Sequence, residues 1–259
     1  MNDFEENYHQ LLPLIVEQGK LPQFFCKYLT IDKLKYYLED NTIYFSTFEE
    51  MNDKYEAFAM YDVVNSDIEW KDLLQKMSLP HMHQRIILDV IKDNPQKTGK
   101  IILENIKKVT SSLGILCLTP DNDNVTMWAH YTDNNKGACV EFDILEDCKL
   151  FLLPKKVEYG DDIVRLNYVA EQDRAMEPLY HKSTKWSYEN EYRVIKIGFS
   201  GPRKFNKKAL RSIIFGVDTP TEDIKRIKEM AAQNGFDHVV FKQAKLSQNS
   251  ITKFDIVDL

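Results

Sequence analysis

The 259-residue sequence has few glycines and prolines, and it lacks long apolar runs. Nine residues of each type are too few for long disordered linkers, so compact structure is expected throughout. The most apolar stretch, residues 113–118, is far shorter than the roughly 20 residues that cross a bilayer. The amino terminus is acidic, whereas a secretory signal begins with positive charge. We therefore expect a cytoplasmic protein without a membrane partner.

The motifs of metal sites and of the commonest nucleotide enzymes are also missing. No Walker loop, G-x-G-x-x-G fingerprint or G-x-S-x-G elbow occurs, and the histidines have no metal-type spacing with cysteine or acidic residues. The four cysteines lie far apart without a C-x-x-C pair: Cys26, Cys117, Cys139 and Cys148. This spacing argues against a zinc site and a disulfide framework. Reduced, mostly buried thiols and no metal cofactor are expected.

Positive charge is scarce overall but concentrated in one segment. The formal net charge is −6, which gives no whole-chain case for nucleic-acid binding. Residues 182–211, however, hold nine basic residues and two acidic ones, a charge of +7 (nine minus two). Such a band can attract a nucleotide or another anionic small molecule, with nucleic acid as an alternative partner. A charge run of this kind is, however, more often an ordinary solvated face. The sequence does not indicate the oligomeric state.

Periodicity and capping patterns predict an α+β fold. Strands are predicted at 24–29, 42–46, 114–119, 138–142, 188–197, 212–216, 238–241 and 252–257. Helices are predicted after the cap Thr30, within 67–112, around Trp128, and between Thr219 and Gly235. In the last of these, Thr219 is the expected N-cap, and the following proline the first helical residue. We expect one domain over residues 1–259, with a mixed, mainly antiparallel sheet covered by helices. Strands 114–119 and 138–142 are expected at its centre, under the helices of 67–112.

The predicted late strand carries an unusual set of charges. Strand periodicity places Glu189, Glu191 and Arg193 on one face, with successive members roughly 6.5–7 Å apart. At that distance one carboxylate can raise the pKa of the other while a guanidinium opposes the effect. Such a group could orient a sugar hydroxyl or move a proton. The alternative is a solvated face, or pairing of Arg193 with a carboxylate on a neighbouring strand.

Aromatic residues and a histidine cluster in the middle of the chain. Trp128, His130 and Tyr131 occupy a predicted short helix that follows a polar turn. This combination suits stacking on a base or ring, although a lone histidine is often a hydrogen-bonded structural residue. Residues 52–56, Asn-Asp-Lys-Tyr-Glu, follow an early strand and could present polar groups at a sheet edge. Ordinary turn structure is the favoured interpretation of that segment.

Taken together, these segments resemble a bacterial family of unknown function, DUF2971. The resemblance is carried by residues 27–29, 43–46 with Phe48, 52–53, 127–131 with Gly137, and the pattern Trp186-x-x-Glu189-x-Glu191-x-Arg193. The chain departs from the family pattern at two positions. Lys54 stands where proline usually follows Asn-Asp, and Asn135 stands where histidine often precedes Lys-Gly.

The order of these motifs also resembles, more distantly, the ADP-ribosyltransferase-like fold. This resemblance implies NAD as a substrate, with Tyr28 and Tyr131 near the nicotinamide and Glu191 bonded to a ribose hydroxyl. Glu191 would stabilise an oxocarbenium-like transition state as nicotinamide leaves, and the basic band would hold the pyrophosphate or an acceptor. The resemblance therefore implies an NAD-using transferase or glycohydrolase, such as a stress or phage-defence effector. The alternatives are a nucleic-acid-binding or processing module and a non-catalytic nucleotide sensor.

Overall fold

A computed structural model describes residues 3–62 and 67–259 of the chain. Its α-helices are α1 (Asp3–Glu17), α2 (Ile31–Glu39), α3 (Asp67–Lys76), α4 (His81–Asp93), α5 (Pro95–Ser111), α6 (Val125–Tyr131) and α7 (Thr221–Gln233). Its first seven strands are β1 (Phe24–Leu29), β2 (Thr42–Phe45), β3 (Ala59–Asp62), β4 (Gly114–Leu118), β5 (Ala138–Asp143), β6 (Lys155–Lys156) and β7 (Glu158–Tyr159). The other strands are β8 (Val164–Asn167), β9 (His181–Lys182), β10 (Tyr192–Lys196), β11 (Gly201–Lys204), β12 (Leu210–Phe215), β13 (Val240–Leu246) and β14 (Phe254–Asp258).

The largest sheet has five strands in the order β1-β5-β12-β13-β14. Within this five-stranded sheet, only β12 and β13 run parallel, and α7 connects them, as a parallel pair requires a crossover. The remaining neighbours are antiparallel. The predicted mixed, mainly antiparallel sheet and the α+β class are therefore confirmed.

Helices cover both faces of this sheet because its inner strands are apolar on both sides. On one face, α2 and α7 pack over a large core that includes Phe25, Val140 and Ile213. On the other face, α6 inserts Trp128 into a smaller core that includes Cys26. Strand alternation explains the division, since successive side chains of β1, β5 and β12 point to opposite faces.

The predicted position of the strand beginning at Gly114 was wrong. β4 does not lie beside β5 but forms a separate three-stranded sheet in the order β4-β10-β6. This second sheet meets the first through a backbone bridge between Cys26 and Thr119. The local pattern identified the strand correctly, but strand pairing depends on contacts distant in sequence.

Helices α3 to α5 occupy the predicted helical region but do not cover the central strands as expected. Trp70 and Leu73 of α3 pack instead against Leu88 of α4, Ile102 of α5 and Val169. The three helices thus form a small apolar cluster of their own. Their amphipathic pattern predicted a buried face but could not identify the surface that buries it.

The two predicted helix starts differ in their outcome. Thr30 caps α2, accepting a hydrogen bond from the Lys33 amide at 3.4 Å, as predicted. Helix α7 was predicted correctly but its first residue was not, because Pro220 is the N-cap and makes no side-chain capping bond. The Thr219 hydroxyl instead donates to the Gly137 carbonyl at 2.9 Å, tying the start of α7 to β5. Gly235 follows the helix with φ +73°, the left-handed conformation expected there.

Gly137 occupies a point of close backbone approach. A Cβ atom at this position would lie 2.1 Å from the carbonyl oxygen of Leu29. Only glycine therefore allows β5 to begin beside the end of β1 without displacing the backbone. This pairing holds the short helix α6 above β1, where the candidate site lies.

Candidate functional site

The late charged segment is not the continuous strand that was predicted. Residues Thr184–Glu189 form a 3-10 helix, and Asn190 follows with φ 43° in the left-handed region. β10 begins only at Tyr192. The turn is held by Asp161, whose carboxylate accepts three hydrogen bonds from Ser183 and Thr184 at 2.6–2.9 Å. Glu189 and Glu191 therefore do not lie on a strand face with Arg193, and alternation does not explain their positions.

Tertiary structure nevertheless brings these three side chains together, with two others, in what we call the buried charged cluster. Its members are Glu56, Lys182, Glu189, Glu191 and Arg193. All five side chains are at most 7% exposed. Three carboxylates and two cations occupy one interior region, so the cluster has a formal charge of −1 when every member is ionised. The alternative interpretation of these charges as a solvated face was wrong.

Arg193 is the deepest member, and its guanidinium is fully buried. Its Nε donates to Glu191 Oε1 at 2.8 Å, and its Nη2 donates to Glu191 Oε2 at 3.0 Å. Nη2 also bonds Glu56 Oε2 at 2.8 Å, and Nη1 bonds the Leu179 carbonyl at 2.8 Å. The planar fork therefore has partners on every nitrogen, the condition under which a buried guanidinium is tolerated.

Lys182 links the three carboxylates at a single ammonium group. Its Nζ lies 2.6 Å from Glu189 Oε2 and 3.2 Å from both Glu191 Oε2 and Glu56 Oε1. The same Nζ is 4.8 Å from the centre of the Trp186 ring, within cation–π range. Lys182 therefore connects Glu191, which Arg193 holds, with Glu189, which Arg193 does not contact.

The two late carboxylates have pKa values shifted in opposite directions. Burial alone would raise the pKa of Glu191, but the charges and hydrogen bonds of Arg193 and Lys182 lower it to about 2. For Glu189 burial dominates and raises the pKa, although Lys182 and the Tyr131 hydroxyl oppose it. Glu191 is thus ionised at neutral pH, whereas Glu189 is the carboxylate better suited to exchange a proton.

A rim of aromatic side chains connects this cluster to the surface. Tyr131 at the end of α6 donates its hydroxyl to Glu189 Oε1, and burial raises the pKa of that phenol. Beside it, the exposed His130 has its Nδ1 3.0 Å from the Tyr188 hydroxyl. Trp186 lies tilted against Tyr188 with ring centres 6.1 Å apart. Half-buried and exposed rings therefore surround the outer end of the cluster, next to Glu189.

Tyr28 and Trp128, the other two candidates for ring binding, lie deeper. Trp128 has no exposed surface, and its indole nitrogen donates to the Asn122 carbonyl at 2.9 Å. Tyr28 packs edge-on against it at 5.2 Å and donates its hydroxyl to the Asp121 carbonyl at 2.9 Å. In this conformation both residues fix α6 and the polar turn before it on the sheet, and thereby position His130 and Tyr131.

Two members of the cluster, Glu56 and Lys182, were not predicted as site residues from the sequence. Glu56 lies 137 positions from Arg193 in the chain, inside the segment interpreted as an ordinary turn. Lys182 belongs to the basic band of residues 182–211, whose members differ in burial. Lys182 and Arg193 are buried, whereas Lys208 and Arg211 are exposed. The charge count of 182–211 therefore overstates the positive surface, and nothing local in the sequence distinguishes its buried members.

Within residues 3–62 and 67–259, no three cysteine, histidine or acidic side chains are grouped so that they could hold a metal ion. In the same residues, no helix combines the length and apolar character needed to span a bilayer.

Comparison with known proteins gives one match. Neither the curated proteins nor the solved structures contain a match to the chain. One protein-family model matches residues 127–194, a range that begins in α6 and ends in β10. The matched range therefore includes every cluster member except Glu56, together with the aromatic rim. The family is described as a protein of unknown function, DUF2971, and the match supports the resemblance of this part of the chain to that family.

Proposed function

We propose that the chain binds NAD at the aromatic rim and cleaves its bond between ribose and nicotinamide, as a transferase or a glycohydrolase. The observation that carries this proposal is the pair of carboxylates with opposite pKa shifts beneath a rim of aromatic side chains. A carboxylate pair in different environments is typical of glycosyl chemistry, which needs one permanent anion and one group that exchanges protons. The distant resemblance to the ADP-ribosyltransferase-like fold points to the same chemistry.

The reaction divides the roles between the two carboxylates. The glycosidic bond breaks with its electron pair leaving on the nicotinamide nitrogen, and the ribose carbon becomes an oxocarbenium ion. Glu191, held ionised by Arg193 and Lys182, stabilises that positive charge electrostatically. Glu189 lies at the outer end of the cluster and takes the proton from the water or acceptor hydroxyl that attacks the ribose carbon. Tyr131 is a positioning residue, because it orients Glu189.

This proposal is tested by incubating the pure protein with NAD and measuring free nicotinamide. Glu189→Gln keeps the size of the side chain and removes the base, so we expect release to fall at least about 100-fold. Glu158→Gln is the matched control, because Glu158 is an exposed glutamate outside the cluster. Circular dichroism must show that both variants are folded. An absence of release by the wild type, with and without protein and peptide acceptors, contradicts the proposal.

A second candidate function is a sensor that binds the nucleotide without turnover. It is favoured by one observation, that both oxygens of Glu189 and both of Glu191 already have partners within the protein. A carboxylate so engaged needs a rearrangement before it can contact a substrate. The sensor predicts that NAD raises the melting temperature while no nicotinamide appears. Catalysis predicts both effects, or release alone.

A further inference from the structure

A groove with basic side chains opens at one end of the five-stranded sheet, and none of its residues belongs to the buried charged cluster. Its volume is about 340 Å³, and it is lined by Phe24, Asp143, Lys208, Arg211, His238 and Val240. These residues lie where β1 and β13 begin, where β5 ends, and next to the start of β12. The groove is therefore built by the ends of four neighbouring strands, β1, β5, β12 and β13.

Arg211 is directed into the groove by an irregularity in β12. The register between β12 and β5 shifts between Leu210 and Ser212, so Arg211 is the extra residue of a bulge. Bulges of this kind re-aim side chains and are common beside binding sites. The Arg211 guanidinium lies 4.1 Å above the Phe24 ring and 3.4 Å from Glu141, with 47% of the side chain exposed. These contacts hold the guanidinium in place and leave its outer edge open.

The other two basic residues are also held by their backbone surroundings. Asn206 caps the turn that carries Lys208, its side-chain oxygen accepting from the Lys208 amide at 3.2 Å. His238 is fixed through Nε2, which lies 3.0 Å from the Lys207 carbonyl. Across the described ranges 3–62 and 67–259, the Lys208 ammonium has no ion-pair partner. The groove thus presents a free cation beside a half-exposed guanidinium.

Within the part of the chain that the structure describes, the acidic residue of the lining, Asp143, forms no ion pair with these cations. One oxygen of Asp143 accepts from the Gln23 amide at 2.9 Å, and the other accepts from the Leu145 backbone at 3.0 Å. Its two oxygens are therefore engaged by neutral donors, one from the residue before β1 and one from the turn after β5. Because Glu141 contacts only one side of Arg211, Lys208 and the outer guanidinium edge remain for a ligand.

We propose that this groove is a second binding site, which takes the phosphate or pyrophosphate group of a nucleotide-sized molecule. A guanidinium edge with a nearby ammonium matches the geometry of phosphate oxygens, and its fixed position lowers the entropy lost on binding. The volume is at the small end of ligand pockets, which suits a nucleotide rather than a duplex. The net charge of −6 also opposes long-range attraction of nucleic acid. The site is independent of the proposed NAD chemistry.

The test uses calorimetric titration of the full chain with inorganic pyrophosphate, with ADP and with a single-stranded oligonucleotide. Arg211→Gln and Lys208→Gln should each weaken binding of pyrophosphate and ADP by roughly 10-fold to 100-fold, the effect of losing one hydrogen bond to a charged group. Arg211→Lys keeps the charge but loses the planar guanidinium, so its affinity for both ligands should lie between those of the wild type and Arg211→Gln. The charge-matched control is Lys97→Gln, which removes one positive charge from an exposed lysine of α5. Pyrophosphate and ADP should bind this control as tightly as they bind the wild type.

Three results would overturn the proposal. The first is that wild-type protein binds neither pyrophosphate nor ADP at millimolar concentration. The second is that the control loses as much affinity as the groove variants, which indicates general surface charge. The third is that only the oligonucleotide depends on Lys208 and Arg211, which assigns the groove to nucleic acid. Loss of nicotinamide release in a groove variant plays no part in the test, so the two proposals fail separately.

Discussion

Among the residues that the structure describes, two arginines each bind two carboxylates, one in the interior and one at the surface. Arg193 contacts Glu191 and Glu56 with no exposed surface, whereas Arg174 contacts Glu171 and Glu177 while 41% exposed. The distances are similar, 2.8 Å in the first case and 2.6–2.8 Å in the second. The two arginines differ in their access to water, which can replace a lost partner only at the surface. Similar contacts are therefore obligatory at one site and dispensable at the other.

The largest expected effect comes from removing the interior guanidinium. Arg193→Met should lower the free energy of unfolding by about 3–5 kcal/mol, since Glu191 and Glu56 then remain buried without their main partner. Arg174→Gln is the matched surface change and should alter stability far less. Urea unfolding followed by circular dichroism measures both. Equal losses in the two variants would contradict the distinction between the sites.

A double variant sharpens the comparison by separating pairing from burial. Glu191→Leu combined with Arg193→Met should cost less than the sum of the single changes, with a coupling of about 1–3 kcal/mol. The physical reason is that each single change leaves one charge buried without this partner, whereas the double change removes both charges of the Glu191–Arg193 pair. The four free energies of the cycle come from the same unfolding experiment. Additive losses would mean that the two charges do not interact.

The next effect is the dependence of stability on pH. The pKa of Glu191 is lowered from its ordinary 4.5 to about 2, so its contribution is present above the ordinary value and is lost as the pH falls toward 2. Glu191→Gln should therefore flatten the loss of stability between about pH 5 and pH 2.

The pKa of Glu189 is raised, mainly by burial. Its contribution is present at low pH and lost as the pH rises, so Glu189→Gln should lack this opposite trend. Unfolding midpoints across the pH range distinguish the two variants.

The smallest expected effect concerns the boundary between interior and surface. Tyr131→Phe removes the hydroxyl that bonds Glu189 but keeps the ring. The stability cost should be about 1 kcal/mol, the usual net value of one hydrogen bond. If Tyr131 positions the base, nicotinamide release should also respond differently to pH than in the wild type. An unchanged pH profile with the same small stability loss would leave the tyrosine with a structural role only.

The predicted elements differ in how far local sequence determined them. β1 at 24–29 and α2 after Thr30 were predicted correctly, because alternation and a capping hydroxyl act over a few residues. The late strand was predicted too long, since Asn190 adopts a left-handed conformation. That conformation depends on distant contacts, including the bond from the Asn190 amide to Asp121 at 3.1 Å.

The candidate site was predictable in part for the same reason. Glu189, Glu191 and Arg193 stood out as charges close together in sequence, although their predicted arrangement on a strand was wrong. Glu56 had no local signal, because it lies inside a polar turn far from its partners. Lys182 was hidden among other basic residues. A cluster formed by long-range contacts is visible in the sequence only where its members are neighbours along the chain.

By itself, the sequence determined the class of the fold, its mainly antiparallel sheet, and three residues of the charged cluster. These follow from short-range physics, in which apolar periodicity decides what is buried and capping groups decide where helices begin. Tertiary structure alone decided which strands pair, which basic residues are buried, and that Glu56 and Lys182 complete the cluster. Those outcomes depend on the low-dielectric interior, where a charge is stable only if partners from distant segments reach it.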